Sequence, residues 1–223
     1  MNQDNSYRSR FLLALMLVIF SASMPSSAIA ESLLKPEPGN PSQQSSIWKT
    51  DVGSGFKKNI KNVGLTAGTG FGLEILGSGQ AHQLALVYAH TGWMATDVVY
   101  KDHWYEGNLE LWGEIFGGGQ SHPESAGVIG LTIGPRYCFI THSRWVPFID
   151  AGAGVTGTDI GEPDLSTEFQ FNVQVGGGTH YFFMDNFALT MQIRGIHISN
   201  AYIKRPNRGA NAILFLIGAT YFF

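Results

Sequence analysis

From residue 63 onward, apolar and polar residues alternate along eight runs that turn residues separate. The run 168–183 is the cleanest, because phenylalanine, valine and tyrosine at odd positions alternate with glutamate, glutamine, asparagine and histidine at even positions. Successive side chains of a β-strand point to opposite faces, so such a run predicts a strand with one apolar and one polar face. The predicted strands are 63–74, 82–94, 104–116, 128–140, 146–155, 168–183, 187–202 and 211–223.

These strands predict an all-β fold, an eight-stranded antiparallel transmembrane β-barrel of the outer membrane. A soluble lipid-binding barrel is the alternative, but it would turn its apolar face inward and its polar face outward. The chain ends in Tyr221-Phe222-Phe223, an aromatic terminus similar to the signal that the outer-membrane assembly machinery of Gram-negative bacteria reads. Glycines spaced by two between residues 64 and 72 do not fit a dinucleotide-binding loop and are interpreted as inner-face residues of a narrow barrel.

The first 30 residues are predicted to be a secretory signal peptide, because a basic start and an apolar run lead to a small-residue cleavage site at Ala30. Residues 31–61 are polar and contain three prolines, which predicts a flexible periplasmic lead-in. Residues 62–223 then form the barrel, and the protein is exported to the outer membrane. A formal net charge of −3 argues against a nucleic-acid partner.

An even number of strands puts both ends of the chain on the periplasmic side, so the connections alternate between the two sides of the membrane. The predicted extracellular connections are 75–80, 117–125, 156–166 and 203–210. The predicted periplasmic ones are 95–103, 141–144 and 184–186, which shorten toward tight turns, so the extracellular connections are mostly the longer ones. Glu106, Glu110 and Glu114 share the polar face of the predicted third strand. They are interpreted as interior residues balanced by cations such as Arg194, in preference to the paired carboxylates of a glycosidase.

Two polar residues stand on the apolar face of the seventh strand. Alternation from Phe187 places His197 and Ser199 in line with leucine, methionine and isoleucine. Counted from a turn at Asp185, with about 3.3 Å per residue and a tilt of about 40°, they lie roughly 30 to 35 Å along the membrane normal. The apolar band of such barrels is about 25 Å tall, so both side chains are expected to face outward at the outer-leaflet boundary.

Asn211 of the eighth strand completes a candidate triad. A hairpin centred near Lys204 would bring Asn211 opposite His197 on the same face, within cross-strand contact distance. Ser199, His197 and Asn211 are then the candidate nucleophile, base and orienting group. The alternative is a polar pair at the membrane interface that has no chemistry.

The segment His197-Ile198-Ser199-Asn200-Ala201, followed by Pro206-Asn207-x-Gly209 and a final aromatic strand, resembles the lipid A deacylase family of the PagL type, also called acyloxyacyl hydrolases. The resemblance implies an outer-membrane barrel that hydrolyses the ester-linked 3-hydroxyacyl chain at the 3-position of lipid A in lipopolysaccharide.

The resemblance also implies roles for particular residues. Ser199 would be the nucleophile and His197 the base. Asn200, Asn207 and Gly209 would form the oxyanion and substrate-binding group. The scheme requires no metal or other cofactor.

One position departs from the family pattern, which has a glutamate where this chain has Asn211. Asparagine can orient a histidine but stabilises an imidazolium less than a carboxylate does, which predicts slower turnover or lost activity. Asp159, Glu162 and Asp164 belong to a predicted extracellular connection and would reach the site only by folding over.

The last extracellular connection carries Lys204, Arg205 and Arg208, which are candidates to hold lipid A phosphates, with ordinary solvated loop charges as the alternative.

The expected partners are lipopolysaccharide as substrate, the outer membrane, its assembly machinery and a second copy in a homodimer. A catalytically silent structural or pore-type barrel is the alternative function, and it predicts that lipid A composition does not depend on Ser199.

Overall fold

The computed structural model describes residues 56–223, and over this range the chain forms a closed β-barrel. Every strand pairs antiparallel with its neighbours in chain order, and the first strand closes the barrel by pairing with the last. The strands are β1 (Lys61–Gly72), β2 (Gln83–Met94), β3 (Gly107–His122), β4 (Ala126–Phe139), β5 (Trp145–Thr158), β6 (Phe169–Phe182), β7 (Phe187–Ser199) and β8 (Ala210–Phe222). The predicted all-β, eight-stranded antiparallel barrel is confirmed.

The outer surface of the barrel is apolar. Alternate side chains such as Ile133, Val175 and Phe215 point away from the barrel and are 64%, 62% and 50% exposed. Side chains of the opposite parity point inward and include buried charged residues. An apolar belt of this extent is unfavourable in water and is the arrangement of a barrel whose wall contacts lipid. Within residues 56–223 no helix is long and apolar enough to cross a membrane.

The middle of the barrel interior is a network of paired charges. Arg194 contacts Glu114 and Asp150, and Arg136 contacts Asp150 at 2.9 Å and Glu110 at 3.5 Å. All five side chains are at most 2% exposed in these pairs. Buried charges are tolerated when they are paired and hydrogen-bonded. The interpretation of Glu110 and Glu114 as interior residues balanced by cations is confirmed, with Arg136 as the partner of Glu110 and Arg194 as the partner of Glu114. Glu106 instead lies before β3 and accepts a hydrogen bond from the backbone N–H of Asp102.

Apolar side chains close both ends of this polar layer. One cluster includes Tyr88 and Leu214, and a second cluster at the other end includes Phe148 and Phe182. The interior of an eight-stranded barrel is only wide enough for side chains to fill it. Because buried side chains fill this interior in three layers, the structure disfavours the pore-type alternative.

Glycines occupy the inner face of β1 because neighbouring groups approach closely. A Cβ at Gly68 would lie 1.8 Å from the carbonyl oxygen of Phe215, and one at Gly64 would lie 2.3 Å from Cε1 of His90. Only glycine avoids a clash at such distances. The interpretation of these glycines as inner-face residues of a narrow barrel is confirmed.

The third strand is longer than predicted. The predicted connection 117–125 is wrong over most of its length, because β3 continues to His122 and pairs with both β2 and β4 as far as Gln120. Its glycine run suggests a loop by composition but has a packing role, since a Cβ at Gly118 would lie 2.0 Å from the carbonyl oxygen of Ala85.

The barrel has two distinct ends. The connections 73–82, 123–125, 159–168 and 200–209 form one end, called the loop end below, and the connections 95–106, 140–144 and 183–186 form the other. The longest connection, 95–106, belongs to the second end. It is an exception to the expectation that the periplasmic connections are the shorter ones.

The predicted signal peptide, residues 1–30, lies outside the described residues, as does most of the predicted lead-in. The last residues of the lead-in range belong to the barrel. Phe56 is 1% exposed and packs against Phe182 and Phe222, and β1 begins at Lys61. Burial of this aromatic ring places the start of the folded region before residue 62.

Candidate active site at the loop end

The two polar residues of the outer wall lie at the loop end of the barrel. Ser199 is the last residue of β7, and His197 precedes it by two positions on the same outward face. Both side chains are half-buried. The register of β7 and β8 places Asn211 directly opposite His197, as the sequence predicts for a hairpin centred near Lys204. The three candidate catalytic residues are therefore adjacent.

A chain of hydrogen bonds connects the three side chains. Nε2 of His197 lies 3.0 Å from Oγ of Ser199, and Nδ1 of His197 lies 2.7 Å from Oδ1 of Asn211. An amide oxygen only accepts, so Nδ1 carries the proton and Nε2 is free to accept the proton of Ser199. This is the tautomer that a serine nucleophile requires.

The side-chain amide of Asn211 is fixed by a second contact. Its Nδ2 donates to the carbonyl oxygen of Ile75 at 2.8 Å, which directs Oδ1 toward His197. Asn211 is 3% exposed even though its parity is outward, because the connection 73–82 contacts it through both Ile75 and Leu73. A carboxylate at this position would direct an oxygen at the Ile75 carbonyl, so the surroundings fit an amide.

The two other candidate asparagines are joined to each other. The backbone N–H of Asn200 donates to Oδ1 of Asn207 at 3.0 Å. The Nδ2 of Asn200 donates to the carbonyl oxygen of Lys204 at 2.8 Å and to Oγ of Ser166 at 3.2 Å. Asn200 therefore has its donors engaged within the loops. The Nδ2 of Asn207 makes no hydrogen bond to any of the described residues and is the donor that is available to a ligand.

Gly209 lies against the imidazole of His197. Its φ is +80°, a conformation that favours glycine, and a Cβ there would lie 2.7 Å from Cε1 of His197. The structure thus brings Gly209 to the base rather than to the hydroxyl. The backbone of Gly209 therefore restricts the position of the imidazole ring.

The backbone turns sharply immediately after the Ser199-Asn200 pair. Ala201 and Tyr202 have φ values of 52° and 61°, the left-handed region that non-glycine residues rarely occupy. Among the described residues, neither of their backbone N–H groups has a hydrogen-bond partner. Unusual backbone of this kind often occurs at functional sites.

Of the candidate carboxylates Asp159, Glu162 and Asp164 in the 159–168 connection, Asp164 folds over the loop end. Its side chain is 1% exposed and bonds to His82 instead of His197. Asp159 bonds to the backbone of Gly127 at the barrel rim, and Glu162 is exposed. The sequence pattern does not mark His82 as a site residue, because only loop packing brings it to Asp164. No group of three or more His, Cys, Asp or Glu side chains within residues 56–223 is placed to hold a metal ion.

Lys204, Arg205 and Arg208 all lie exposed in the 200–209 connection. They share the loop end with Ser199, and their charged groups are accessible to a ligand there. Their role as phosphate-binding residues stays a prediction.

A comparison with known protein families agrees with this candidate site. The model of the family described as lipid A 3-O-deacylase (PagL) matches residues 83–220, a range that contains every candidate site residue. The chain belongs to this family. The resemblance that the sequence around His197 and Ser199 indicates is thereby confirmed, and membership in the PagL family implies an ester-hydrolysing enzyme.

One sequence relative and one solved structure extend the comparison. Lipid A deacylase PagL of Pseudomonas aeruginosa is 28% identical over 137 residues, which are 59% of this chain and 73% of that protein. The crystal structure of the outer membrane enzyme PagL has a TM-score of 0.52 and 20% identity, and the alignment covers 70% of this chain and 97% of that one.

The same barrel fold occurs outside the PagL family. Neisserial surface protein A has a TM-score of 0.52 and 14% identity over 73% of this chain and 97% of its own. These structural likenesses show the fold, whereas the family match and the site geometry concern the chemistry. Together the PagL match and the outer-membrane barrel neighbours support an outer-membrane location.

Proposed function

We propose that this protein is an outer-membrane serine esterase that hydrolyses the ester-linked 3-hydroxyacyl chain at the 3-position of lipid A. The observation that carries the proposal is the hydrogen-bonded chain from Ser199 through His197 to Asn211. It lies on the outward wall at the loop end, where a lipid-embedded ester would reach it. PagL family membership supports the same substrate class.

The first half of the reaction transfers the acyl group to the enzyme. Nε2 of His197 takes the proton of Ser199, and Oγ attacks the acyl carbonyl carbon. Asn211 keeps the proton on Nδ1 and stabilises the imidazolium that forms. His197 then gives its proton to the departing sugar oxygen, which leaves as a hydroxyl group, and Ser199 carries the acyl chain.

The second half releases the fatty acid. Water attacks the acyl-enzyme while His197 accepts one of its protons. Collapse of the tetrahedral intermediate breaks the bond to Oγ, and His197 returns the proton to Ser199. The products are a free 3-hydroxy fatty acid and lipid A with a free 3-hydroxyl group.

The negative charge on the tetrahedral oxygen needs donors that are already in position. Nδ2 of Asn207 is our candidate, because Asn200 holds the other end of that amide and the nitrogen has no partner among the described residues. The backbone N–H groups of Ala201 and Tyr202 are further candidates. Asn200 contributes by orienting Asn207, and Gly209 by its contact with His197.

The runner-up is a catalytically silent structural barrel. The specific observation in its favour is Asn211, which lacks the charge that the family pattern provides. The pore version has less support, because apolar layers close both ends of the interior. Only activity separates the esterase from the silent barrel.

The test is mass spectrometry of lipid A from cells that express the wild type, Ser199→Ala or Ser121→Ala at matched outer-membrane levels. Ser121 is an exposed serine near the end of β3 at the same end of the barrel. We expect lipid A to lose one hydroxyacyl mass with the wild type and with Ser121→Ala, but not with Ser199→Ala. Loss with Ser199→Ala would overturn the serine mechanism. Unchanged lipid A with the wild type, in cells and in detergent extracts, would favour the silent barrel.

A further inference from the structure

A second polar cluster lies beside the candidate active site and takes no part in the scheme above. Nδ1 of His82 is 2.6 Å from Oε1 of Gln120, and Nε2 of His82 is 3.0 Å from Oδ2 of Asp164. His82 and Asp164 are each 1% exposed. A buried polar cluster of this kind is costly unless every group is paired, and here the pairing is nearly complete.

Asp164 joins three separate connections of the loop end. Its Oδ1 accepts from the backbone N–H of Gly79 at 3.1 Å, in the 73–82 connection. Its own carbonyl oxygen accepts from the N–H groups of Arg208 at 2.8 Å and Gly209 at 3.3 Å, in the 200–209 connection. One residue thus holds the connection before β2 and the one before β8 together.

The segment around Asp164 is itself anchored by packing. Leu165 is fully buried and Ile160 is 5% exposed, and both belong to the apolar cluster at the loop end together with Ile198 and Leu214. Ile198 lies between His197 and Ser199 in the chain. The carbonyl of Asp164 therefore has a position that is set relative to the strand that carries the nucleophile.

Asp164 affects the catalytic residues through its hydrogen bond with Gly209. Gly209 lies against Cε1 of His197, and Asn207 precedes it by two residues. A shift of this backbone would move the group that restricts the imidazole and the candidate oxyanion donor together. Misplacement of catalytic groups by about 1 Å can lower the rate by about 100-fold.

We propose that Asp164, anchored by His82, is a positioning residue that holds the segment 207–209 against His197. The proposal rests on the esterase function proposed above. It makes the catalytic geometry dependent on the 159–168 connection, which contains no catalytic residue. The serine and its base come from one strand, but their working arrangement requires a loop from the neighbouring hairpin.

Two substitutions separate this role from general loop stability. Asp164→Ala removes the acceptors of both Gly79 and His82. Asp164→Asn keeps an acceptor for Gly79, and its amide nitrogen can donate to Nε2 of His82 when Nδ1 donates to Gln120. Glu162→Ala is the matched control, because it removes a carboxylate from the same connection that is exposed and makes no hydrogen bond to a described residue.

The experiment uses the full-length protein folded in detergent micelles and a soluble short-chain nitrophenyl ester. We expect Asp164→Ala to lower kcat by about tenfold or more with KM within about twofold, since positioning acts on the reacting groups and not on binding. Asp164→Asn should recover most of kcat, and Glu162→Ala should match the wild type. The rate at which a fluorophosphonate labels Ser199 should fall in parallel with kcat.

A normal kcat for folded Asp164→Ala, or no recovery in Asp164→Asn, would overturn the proposal. If Asp164→Ala does not show the heat-dependent gel mobility of a folded barrel, His82→Ala replaces it. That variant removes the anchor but keeps the carbonyl of Asp164, and it should also lower kcat. Failure of the esterase proposal is recognised separately, because the wild type and Ser199→Ala would then hydrolyse the ester at the same rate.

Discussion

The bond between Asn211 and His197 gives the sharpest test of the candidate triad. Asn211→Ala removes the acceptor that lies 2.7 Å from Nδ1 of His197. In the ground state the loss is that of a neutral hydrogen bond, about 1 kcal/mol. In the transition state His197 is an imidazolium, and a hydrogen bond to a charged group is worth about 1.5 to 3 kcal/mol. Water does not readily replace the lost acceptor, because Asn211 is 3% exposed.

The difference between the two values decides the expected effect on the rate, because the ground state loses its hydrogen bond as well. A net loss of about 0.5 to 2 kcal/mol in transition-state stabilisation lowers kcat by about 2- to 30-fold. KM for a short-chain ester should stay within about twofold, since Asn211 contacts the base and not the substrate. The measurement is steady-state hydrolysis of a nitrophenyl ester in detergent micelles, normalised to the folded fraction from heat-dependent gel mobility.

Two variants control for other consequences of the change. Asn186→Ala removes a comparable hydrogen bond at the opposite end of the barrel, in which the side-chain amide donates to the carbonyl oxygen of Phe222 at 2.9 Å. It should leave kcat unchanged. Asn211→Asp keeps an acceptor for His197 but loses the donation to Ile75, so it should retain much more activity than the alanine variant and unfold more easily. A kcat of folded Asn211→Ala equal to that of the wild type would refute the orienting role.

Two further predictions concern the barrel itself. Arg194→Met leaves the buried carboxylate of Glu114 without its partner, so we expect the free energy of unfolding to fall by about 3 to 5 kcal/mol. Urea titration measures this, with the exposed Arg144→Met as the control; equal midpoints for both would contradict it. Gly68→Ala places a Cβ 1.8 Å from a carbonyl oxygen of β8 and should reduce the folded yield, whereas Gly195→Ala finds its nearest atom at 3.7 Å and should fold normally. Equal yields would show that the inner-face glycines are not required.

Strand alternation determined a large part of this molecule. Because side chains repeat with a period of two, the runs identify the strands and show which face of most of them is polar. The same counting places His197 and Ser199 on the outer wall, and hairpin symmetry places Asn211 opposite His197. These results depend only on local backbone geometry, so a single sequence is enough to predict them.

Alternation was insufficient where both faces have similar composition. The run 82–94 carries apolar residues on both faces, and only its pairing with β1 and β3 directs Leu84, Leu86 and Tyr88 inward. The glycines 117–119 suggest a loop by composition, yet they extend β3, because the close approach of β2 leaves no room for side chains. In both cases contacts between strands outweigh local preference.

The surroundings of the candidate site were decided by tertiary structure alone. Asp164 reaches His82, Gly79 and Gly209 through contacts that are remote in the chain, and Ile75 covers Asn211 in the same way. Connections have no fixed period, so their sequence does not show which groups they bring together. Burial of Leu165 in the barrel mouth selects one arrangement, and that packing free energy exists only once the barrel has closed.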